Sequence, residues 1–339
     1  MLARATAPRD APPRSAPRRV AAGFFACAAP DLDFVVGFFG PVEYLLHHRG
    51  VTHSLLMAPL WAFPVAWLLA RLLREPAGKD GTAGWRALYG VCLLSIGAHI
   101  AGDWITSYGT MVLAPVSDWR AGIGTTFIID LWFTGIIAAG LVLSLLFYRT
   151  RISSVGACVV LCAYVGFQYL QKEKALEFAG RYALQHGLKG ADIAAHPRPV
   201  SPFNWTVFVS DERVHRFAHV NLVRETPRRY APGDGFVAKL DAPYEPLASA
   251  HWQTRSRYGE AGAAKQAWES PALAFLRWFA ERPALDGATR DPECYWFVDL
   301  RFFNPGRDWI PFRFGACRDG PAAPWRAFER DDEGRAVPL

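Results

Sequence analysis

The chain has 339 residues, a formal net charge of +6 and a hydrophobic content of 51%. This length suffices for two domains, and this composition excludes a largely disordered protein. The arginines border apolar stretches, as they do in membrane proteins, so the positive charge does not favour a nucleic-acid-binding protein. The six cysteines include no CxxC pair, which argues against a cysteine-based zinc cluster or a thioredoxin-like motif.

The chain begins with a stretch, residues 1–19, that is rich in Pro, Ala and Arg and has no apolar period. We interpret it as a disordered leader, which also lacks the apolar core of a signal peptide. From Val20 the chain becomes apolar, and the sequence PDLD at residues 30–33 interrupts this run. The first apolar segment is therefore predicted to be broken.

Four later segments are long, apolar and nearly uncharged: residues 54–70, 87–102, 131–148 and 152–171. A bilayer core of about 30 Å requires roughly 18 to 20 residues of helix. The last two segments reach this length, and the first two reach it when their flanks are included. We therefore predict about four membrane-spanning helices, or about five if the broken first segment also crosses.

The basic residues predict the orientation of these helices. They cluster before Val20, between residues 70 and 87, and at Arg149 and Arg151. The positive-inside rule places such clusters in the cytoplasm. If the broken segment crosses, the stretch HHRGVTH and everything past residue 172 lie outside the cytoplasm. The expected localisation is the inner (plasma) membrane, with several crossings and an extracytoplasmic C-terminal domain.

The composition changes at about residue 172 to that of a soluble α+β domain, residues 172–339. A helical continuation is followed by WTVFVS, VHRFAHVNLV, ECYWFVDLRFF and IPFRFGACR, which predict strands of an antiparallel sheet. Ser270 and Pro271 are residue types that begin a helix. The predicted fold class is mainly α, with a polytopic helical membrane domain over residues 20–171 followed by this smaller domain.

Two pairs of residues in the C-terminal domain have open roles. His215 and His219 share one face of a predicted strand, and we expect them to be surface residues. Cys294 and Cys317 could form a disulfide if the domain lies outside the cytoplasm.

Ionisable residues within or beside the apolar half fall towards one predicted face. An intramembrane carboxylate costs about 2.5 kcal/mol or more unless it is paired, solvated or bound to a cation, so such residues are functional candidates. His99 and Asp103 are four residues apart and share one side of a helix. The full set is Asp31, Asp33, His47, His48, Arg49, His53, His99, Asp103, Asp118 and Asp130.

Mixed His and Asp ligands without cysteine suit Zn²⁺ or a similar divalent ion, and the guanidinium of Arg49 suits an anionic phosphate or carboxylate. Each residue also has a simpler interpretation. A single histidine at a helix start is often an interfacial or capping residue, and Asp31 and Asp33 could cap the following helix. Thr52 and Ser54 could likewise be capping residues. The convergence of so many polar residues on one face favours a metal site.

Four motifs follow one another between about residues 20 and 150: PDLD at 30–33, HRGVTHS at 48–54, HIAGDWITSYGT at 99–110 and FIID at 127–130. As a set they resemble the inner-membrane-associated, metal-dependent hydrolases of the YdjM-like type. That family looks like a membrane-embedded relative of zinc-dependent phospholipase C folds. The resemblance strengthens the metal site more than it identifies a substrate.

The resemblance implies a metal site made of Asp31, Asp33, His48, His53, His99 and Asp103. It assigns supporting catalytic roles to Arg49 and Asp130. The chain departs from the family at its start, where members usually carry a short helix with a Thr-His pair and this chain has its Pro/Arg-rich leader.

These observations predict a membrane-bound hydrolase that uses a metal-activated water on an anionic, membrane-proximal ester, such as a phosphoester or lipid. The expected cofactor is a divalent metal, with Zn²⁺ as first candidate. The expected partners are membrane lipids and a small-molecule or lipid substrate, and no nucleic acid. Two alternatives stay open: a proton-coupled transporter or channel with a relay of Asp130, Asp103 and His99, and a noncatalytic membrane scaffold with a partner-binding tail.

Overall fold

The computed structural model describes residues 1–7, 15–75, 84–147, 150–231, 233–260, 262–307, 310–331 and 333–339. The chain forms two compact units. The first comprises Met1–Val36 and His47–Gln168, and the second comprises Gly37–Leu46 and Tyr169–Leu339.

The N-terminal half of the chain is helical. Its α-helices are α1 (Leu2–Ala5), α2 (Ser15–Ala28), α3 (Pro41–His47), α4 (Ala58–Leu72), α5 (Gly84–Trp104), α6 (Leu131–Leu146) and α7 (Ile152–Gln185). Two 3₁₀ helices, Pro30–Phe39 and Val51–His53, precede and follow α3.

The N-terminal leader differs from its prediction. Leu2–Ala5 forms α1, and α2 begins at Ser15, so disorder is wrong for this described part of residues 1–19. Ala3 is buried in the same apolar core as Ala22. The sequence did not reveal this helix because a single turn is too short to show an apolar period. The rest of the predicted leader, residues 8–14, lies outside the described residues.

Within the described ranges, three helices are long and apolar enough to cross a membrane: Ala16–Phe39, Gly84–Trp104 and Ile152–Gln185. Pro41–His53 and Ala58–Leu72 form a pair bent by 81°, which adds a fourth span if the pair crosses as one. Leu131–Leu146 is apolar but shorter. The broken first segment is thus a candidate span, whereas the total of about four to five spans stays a prediction.

The helices of the first unit pack through small side chains. Ala58, Ala62 and Ala66 recur every four residues along α4 and are at most 3% exposed. They share one core with Ala22 of α2 and Ile96 of α5. Alanine at such positions lets helix backbones approach closely, which increases van der Waals contact. This packing fixes α2, α4 and α5 against one another.

The second unit contains two five-stranded sheets. In the first, β1 to β4 lie in chain order and β5 pairs with β3; the strands are β1 (Asp192–Pro197), β2 (Asn204–Ser210), β3 (Val214–Asn221), β4 (Glu245–Pro246) and β5 (Trp252–Ser256). The second is an antiparallel meander of β6 (Pro283–Arg290), β7 (Glu293–Asp299), β8 (Phe314–Arg318), β9 (Arg326–Arg330) and β10 (Ala336–Pro338). The described residues among these strands also form three short α-helices: α8 (Phe236–Asp241), α9 (Gly262–Glu269) and α10 (Ala274–Phe279).

The four predicted strands are confirmed as β2, β3, β7 and β8. The helix predicted after Ser270 begins as a 3₁₀ turn, Pro271–Leu273, and continues as α10. The chain as a whole mixes helix and sheet, so the prediction of a mainly α fold is wrong. Six of the described strands were not predicted: β4 and β10 are too brief to show a period of two, and the longer β6 contains Pro283 and Gly287, residue types that disfavour a strand.

The first sheet is covered on both faces. Ala175, Ala179 and Ala183 of α7 pack with Trp205, Val207 and Val209 on one face. On the other face, Phe208 and Phe217 pack with Ala284, Val298 and Leu300. This cover explains why His215 and His219, predicted as surface residues, are instead 0% and 5% exposed.

The second sheet carries the disulfide. Cys294 and Cys317 are direct partners in the β7–β8 register and are bonded, so the pairing that the sequence allowed is present. Trp296 packs beside this bond and opposes Gly315. A Cβ on Gly315 would lie 2.6 Å from Trp296 Cε3, so the sheet needs glycine at this position.

Candidate metal centre

Four polar side chains from three segments of the first unit converge. Asp31 follows α2, His53 ends the second 3₁₀ helix, and His99 and Asp103 share α5. One ligand atom from each of the four lies within 4.8 Å of the others. The predicted convergence of HIAGD with the flanking histidine and aspartate motifs is therefore present in the fold.

Five of the six distances between the donor atoms are similar. His53 Nε2 lies 3.1 Å from His99 Nε2, 3.3 Å from Asp31 Oδ1 and 3.2 Å from Asp103 Oδ2. His99 Nε2 lies 3.4 Å from Asp31 Oδ1 and 3.5 Å from Asp103 Oδ2. A regular tetrahedron of ligands about 2.0–2.1 Å from a central Zn²⁺ has edges of about 3.3 Å. The donor set therefore fits a four-coordinate divalent cation.

Burial within the cluster is uneven. The side chains of His53, Asp103 and His99 are 0%, 13% and 14% exposed, whereas that of Asp31 is 58% exposed. Asp103 Oδ2 is buried and has no hydrogen-bond partner among the described residues. This oxygen faces the imidazole nitrogens of His53 and His99 at 3.2 and 3.5 Å, and a cation held among these atoms would satisfy it. Solvent therefore reaches the cluster mainly at Asp31, and the other three side chains are largely buried.

Asp33 lies outside this quartet and organises it. Its Oδ2 is 3.2 Å from His53 Nδ1 and accepts hydrogen bonds from Thr52 Oγ1 at 2.8 Å and from the Arg49 backbone N–H at 3.1 Å. Its Oδ1 lies 2.8 Å from His48 Nδ1. A carboxylate on Nδ1 turns Nε2 of a histidine towards a metal. Asp33 and His48, both predicted as ligands, are therefore placed beside the four-residue cluster.

Arg49 is buried at 6% exposure and its guanidinium faces Asp103. One terminal nitrogen lies 2.9 Å from Asp103 Oδ1, and the other donates to Thr106 Oγ1 at 3.0 Å. The guanidinium also lies 4.8 Å from the ring centre of Tyr108. These contacts hold Oδ1 of Asp103 away from the centre, which leaves Oδ2 to face it.

The backbone around Arg49 is fixed by the loop that follows α5. The Met111 N–H donates to the Arg49 carbonyl at 2.9 Å, and the Leu55 N–H donates to the Val112 carbonyl at 2.9 Å. The turn that follows Arg49 needs a glycine at position 50, because a Cβ there would lie 2.7 Å from the His47 carbonyl oxygen. The two motifs HRGVTHS and HIAGDWITSYGT are thus joined through main-chain hydrogen bonds.

Asp130 has a different environment. Its Oδ1 accepts from the Phe133 N–H at 2.8 Å and caps the start of α6. Its Oδ2 accepts from Tyr164 Oη at 2.8 Å and from Gln168 Nε2 at 3.5 Å. Asp130 does not belong to the four-residue cluster found among the described residues. The observed contacts join α6 to α7.

Three residues in contact with the site were not predicted as site residues: Thr52, Thr106 and Tyr108. The sequence is compatible with a capping role for Thr52, and Thr106 and Tyr108 stand out only as members of a motif. The one feature of the sequence that pointed to these three residues was their position inside the two longest motifs. A sequence shows which residues accompany ligands, but not which of them support a ligand's side chain.

A helical membrane unit with a His/Asp cluster between its helices, joined to a β-rich C-terminal region, is the class of protein that this chain represents. The family model described as YdjM inner membrane protein matches residues 1–175. This match covers more than half of the 339 residues, so the chain belongs to that family. No curated protein and no solved structure matches the chain.

Proposed function

We propose that the chain is a membrane-bound, metal-dependent hydrolase whose centre is formed by Asp31, His53, His99 and Asp103. Five of the six distances between their donor atoms are 3.1–3.5 Å, close to the edges of a tetrahedral zinc site, and this spacing carries the proposal. A donor set of two imidazoles and two carboxylates makes Zn²⁺ the first candidate ion.

A divalent cation held here would act as a Lewis acid and would lower the pKa of a water within reach. The chain's own residues keep the donors in place for this chemistry. Asp33 orients the imidazole of His53, and Arg49 holds one oxygen of Asp103. Both terminal nitrogens of Arg49 are engaged, so we assign it a positioning role and not the substrate contact expected from the sequence.

The substrate class that we propose is an anionic ester with an apolar part, such as a membrane lipid. The open side of the centre supports this choice. Exposed Asp31 is followed by Leu32 and precedes Phe34 by three positions, and these apolar side chains are 63% and 54% exposed. Apolar groups beside the one accessible ligand favour a lipid chain over a fully water-soluble substrate.

The family and the apolar helices place the chain in the inner membrane. We further propose that the C-terminal region lies outside the cytoplasm. The Cys294–Cys317 disulfide supports this orientation, because disulfides persist in oxidising compartments.

The first test is the metal content of detergent-purified protein, measured by elemental analysis. We expect about one divalent ion per chain in the wild type, because the four donors form one tetrahedral set. The His53→Ala/His99→Ala variant removes two of the four donors and should lose this ion. The variant should keep its helical circular dichroism, since both substitutions leave the helix backbones unchanged.

The matched control is His186→Ala/His251→Ala, which removes two exposed imidazoles of the C-terminal region. It should retain the wild-type metal content. Phosphate or fatty-acid release from mixed phospholipid micelles is then compared among the three proteins. If His53→Ala/His99→Ala keeps the full metal content, these residues do not form the metal centre. If all three proteins release product at the same rate, the centre has no catalytic role.

A further inference from the structure

A second polar cluster lies inside the C-terminal unit, on the sheet face opposite α7. His196 of β1, Thr206 of β2 and His219 of β3 are direct cross-strand neighbours and are at most 7% exposed. Arg198 and Tyr244 complete the cluster and are 3% and 0% exposed. The proposed hydrolase function uses none of these residues.

Arg198 is buried and carries a positive charge. Its Nε donates to Thr206 Oγ1 at 2.5 Å, and Nη1 donates to the Arg301 carbonyl at 2.9 Å and to Asn304 Oδ1 at 3.1 Å. All three acceptors are uncharged. In the part of the chain that the structure describes, no carboxylate pairs with Arg198, and its Nη2 has no hydrogen-bond partner.

The two described carboxylates near this cluster form ion pairs with other arginines, and the charge of Asp299 acts on Arg198 only from a distance. Asp299 pairs with Arg301 at 2.8 Å, and Asp241 pairs with Arg224 at 2.7 Å and with Arg228 at 2.8 Å. A buried charge without a directly paired counter-ion is unfavourable, so an anion bound from outside the chain would stabilise Arg198.

Both ring nitrogens of His196 lack a hydrogen-bond partner among the described residues, and two further open groups of the cluster are hydrogen-bond donors. Thr206 Oγ1 accepts from Arg198, so its own hydrogen points to His219 Nδ1, 2.8 Å away. Burial, together with the Arg198 charge, lowers the pKa of His219 to about 3, so the ring is neutral at neutral pH. With Nδ1 accepting, the proton of the neutral ring sits on Nε2, which has no partner among the described residues.

Tyr244 supplies a third donor. Its ring centre is 6.0 Å from that of His219, and its hydroxyl has no hydrogen-bond partner within the described residues. Burial raises the pKa of this hydroxyl, so it keeps its proton.

We propose that Arg198 Nη2, His219 Nε2 and Tyr244 Oη bind a small oxyanion, a phosphate or carboxylate group, inside the C-terminal unit. Three donors, one of them on a cation that pairs with no described carboxylate, select an acceptor-rich anion over a neutral ligand.

The test titrates full-length, detergent-purified protein with inorganic phosphate or acetate and measures Tm, with chloride at equal ionic strength as reference. Phosphate could also bind the proposed metal centre, so the titration is run in the His53→Ala/His99→Ala background. We expect a saturable rise in Tm with at least one oxyanion. Tyr244→Phe removes only the unpartnered hydroxyl, and it should need about tenfold more of that anion for the same rise.

Tyr230→Phe is the matched control, because Tyr230 is exposed and in the same unit. It should leave the titration unchanged. If the donors hold only water, phosphate and acetate will shift Tm no more than chloride does, and the proposal is overturned. This outcome is measured in full-length protein that carries no substitution in the C-terminal unit. It therefore decides the proposal even if Tyr244→Phe fails to fold. The metal centre is tested independently, by metal content.

Discussion

Asp31 and Asp33 are two residues apart, yet they have different roles in the structure. The Asp31 side chain is 58% exposed and its Oδ1 joins the donor quartet, whereas that of Asp33 is 5% exposed and contacts His48, Thr52 and His53. The sequence indicated that both carboxylates belong to the site. It could not show which carboxylate joins the four donor atoms and which one lies behind His53. This difference depends on which imidazole nitrogen of His53 each carboxylate faces.

Asp33→Asn tests the supporting role. The substitution keeps the side-chain shape but removes the charge beside His53 Nδ1, so the imidazole is less firmly oriented. We expect metal affinity to fall by about 10- to 100-fold, as is typical for loss of such an outer partner, while one ion still binds at saturation. Competition with a chromophoric chelator measures this change.

Asp118→Asn is the control, because Asp118 is exposed in the same unit. It should bind metal as the wild type does. Unchanged affinity in Asp33→Asn would show that Asp33 does not orient His53, and complete loss of the ion at saturating metal would make Asp33 a direct ligand.

At the scale of elements, the long helices and the strongest strands could be predicted from the sequence. Uncharged apolar runs located α4 to α7, and alternating runs located β2, β3, β7 and β8. The burial of β2 and β3 could not be predicted in the same way. Every residue of β2 is buried, including Asn204, Thr206 and Ser210. Polar residues at alternate positions resemble a solvent-facing side, and only the assembled unit reveals that this side is covered.

His215 shows what this hidden burial does to stability. It links β3 to β6, with Nε2 2.9 Å from the Pro283 carbonyl and Nδ1 2.8 Å from Ser210 Oγ. Burial lowers the pKa of His215 to about 4. The unfolded chain takes up a proton near pH 6.5, whereas the folded one does so only near pH 4. The contribution of His215 is therefore complete above about pH 6.5 and is lost progressively as the pH falls towards 4.

We expect the stability of the C-terminal unit to decrease between about pH 6.5 and pH 4, with His215 accounting for about 3 kcal/mol of the change. His215→Gln should be less stable at pH 7 and should show a shallower decrease, because one proton fewer is taken up on unfolding. Denaturant unfolding at a series of pH values, followed by tryptophan fluorescence, measures both slopes. The exposed His251→Gln should follow the wild type, and equal slopes for His215→Gln and the wild type would contradict the assignment.

For the whole molecule, the sequence predicted a helical membrane half and a soluble C-terminal region, and the family match and the candidate spans agree with a membrane protein. The number of crossings could not be derived from hydropathy alone. Pro41–His53 and Ala58–Leu72 meet at 81°, and a linear sequence does not show whether such a pair crosses or turns back.

The orientation of the C-terminal region is directly testable. Alkaline phosphatase fused after Leu339 should be active in cells, and the same enzyme fused after Arg74 should be inactive, because the basic residues near Arg74 favour the cytoplasm. Green fluorescent protein at the same two positions should give the opposite pattern. A fluorescent fusion at Leu339 together with an inactive phosphatase there would place the region in the cytoplasm.

The origin of the four donors in three separate segments also bears on biogenesis. Asp31, His53 and the pair on α5 leave the ribosome one after another, and α5 supplies two of the four donors. Nascent chains that end before α5 would present only half of the coordination sphere. If the chain binds the proposed ion, all four donors become available only after α5 has been synthesised, so metal binding would be a late event in membrane insertion.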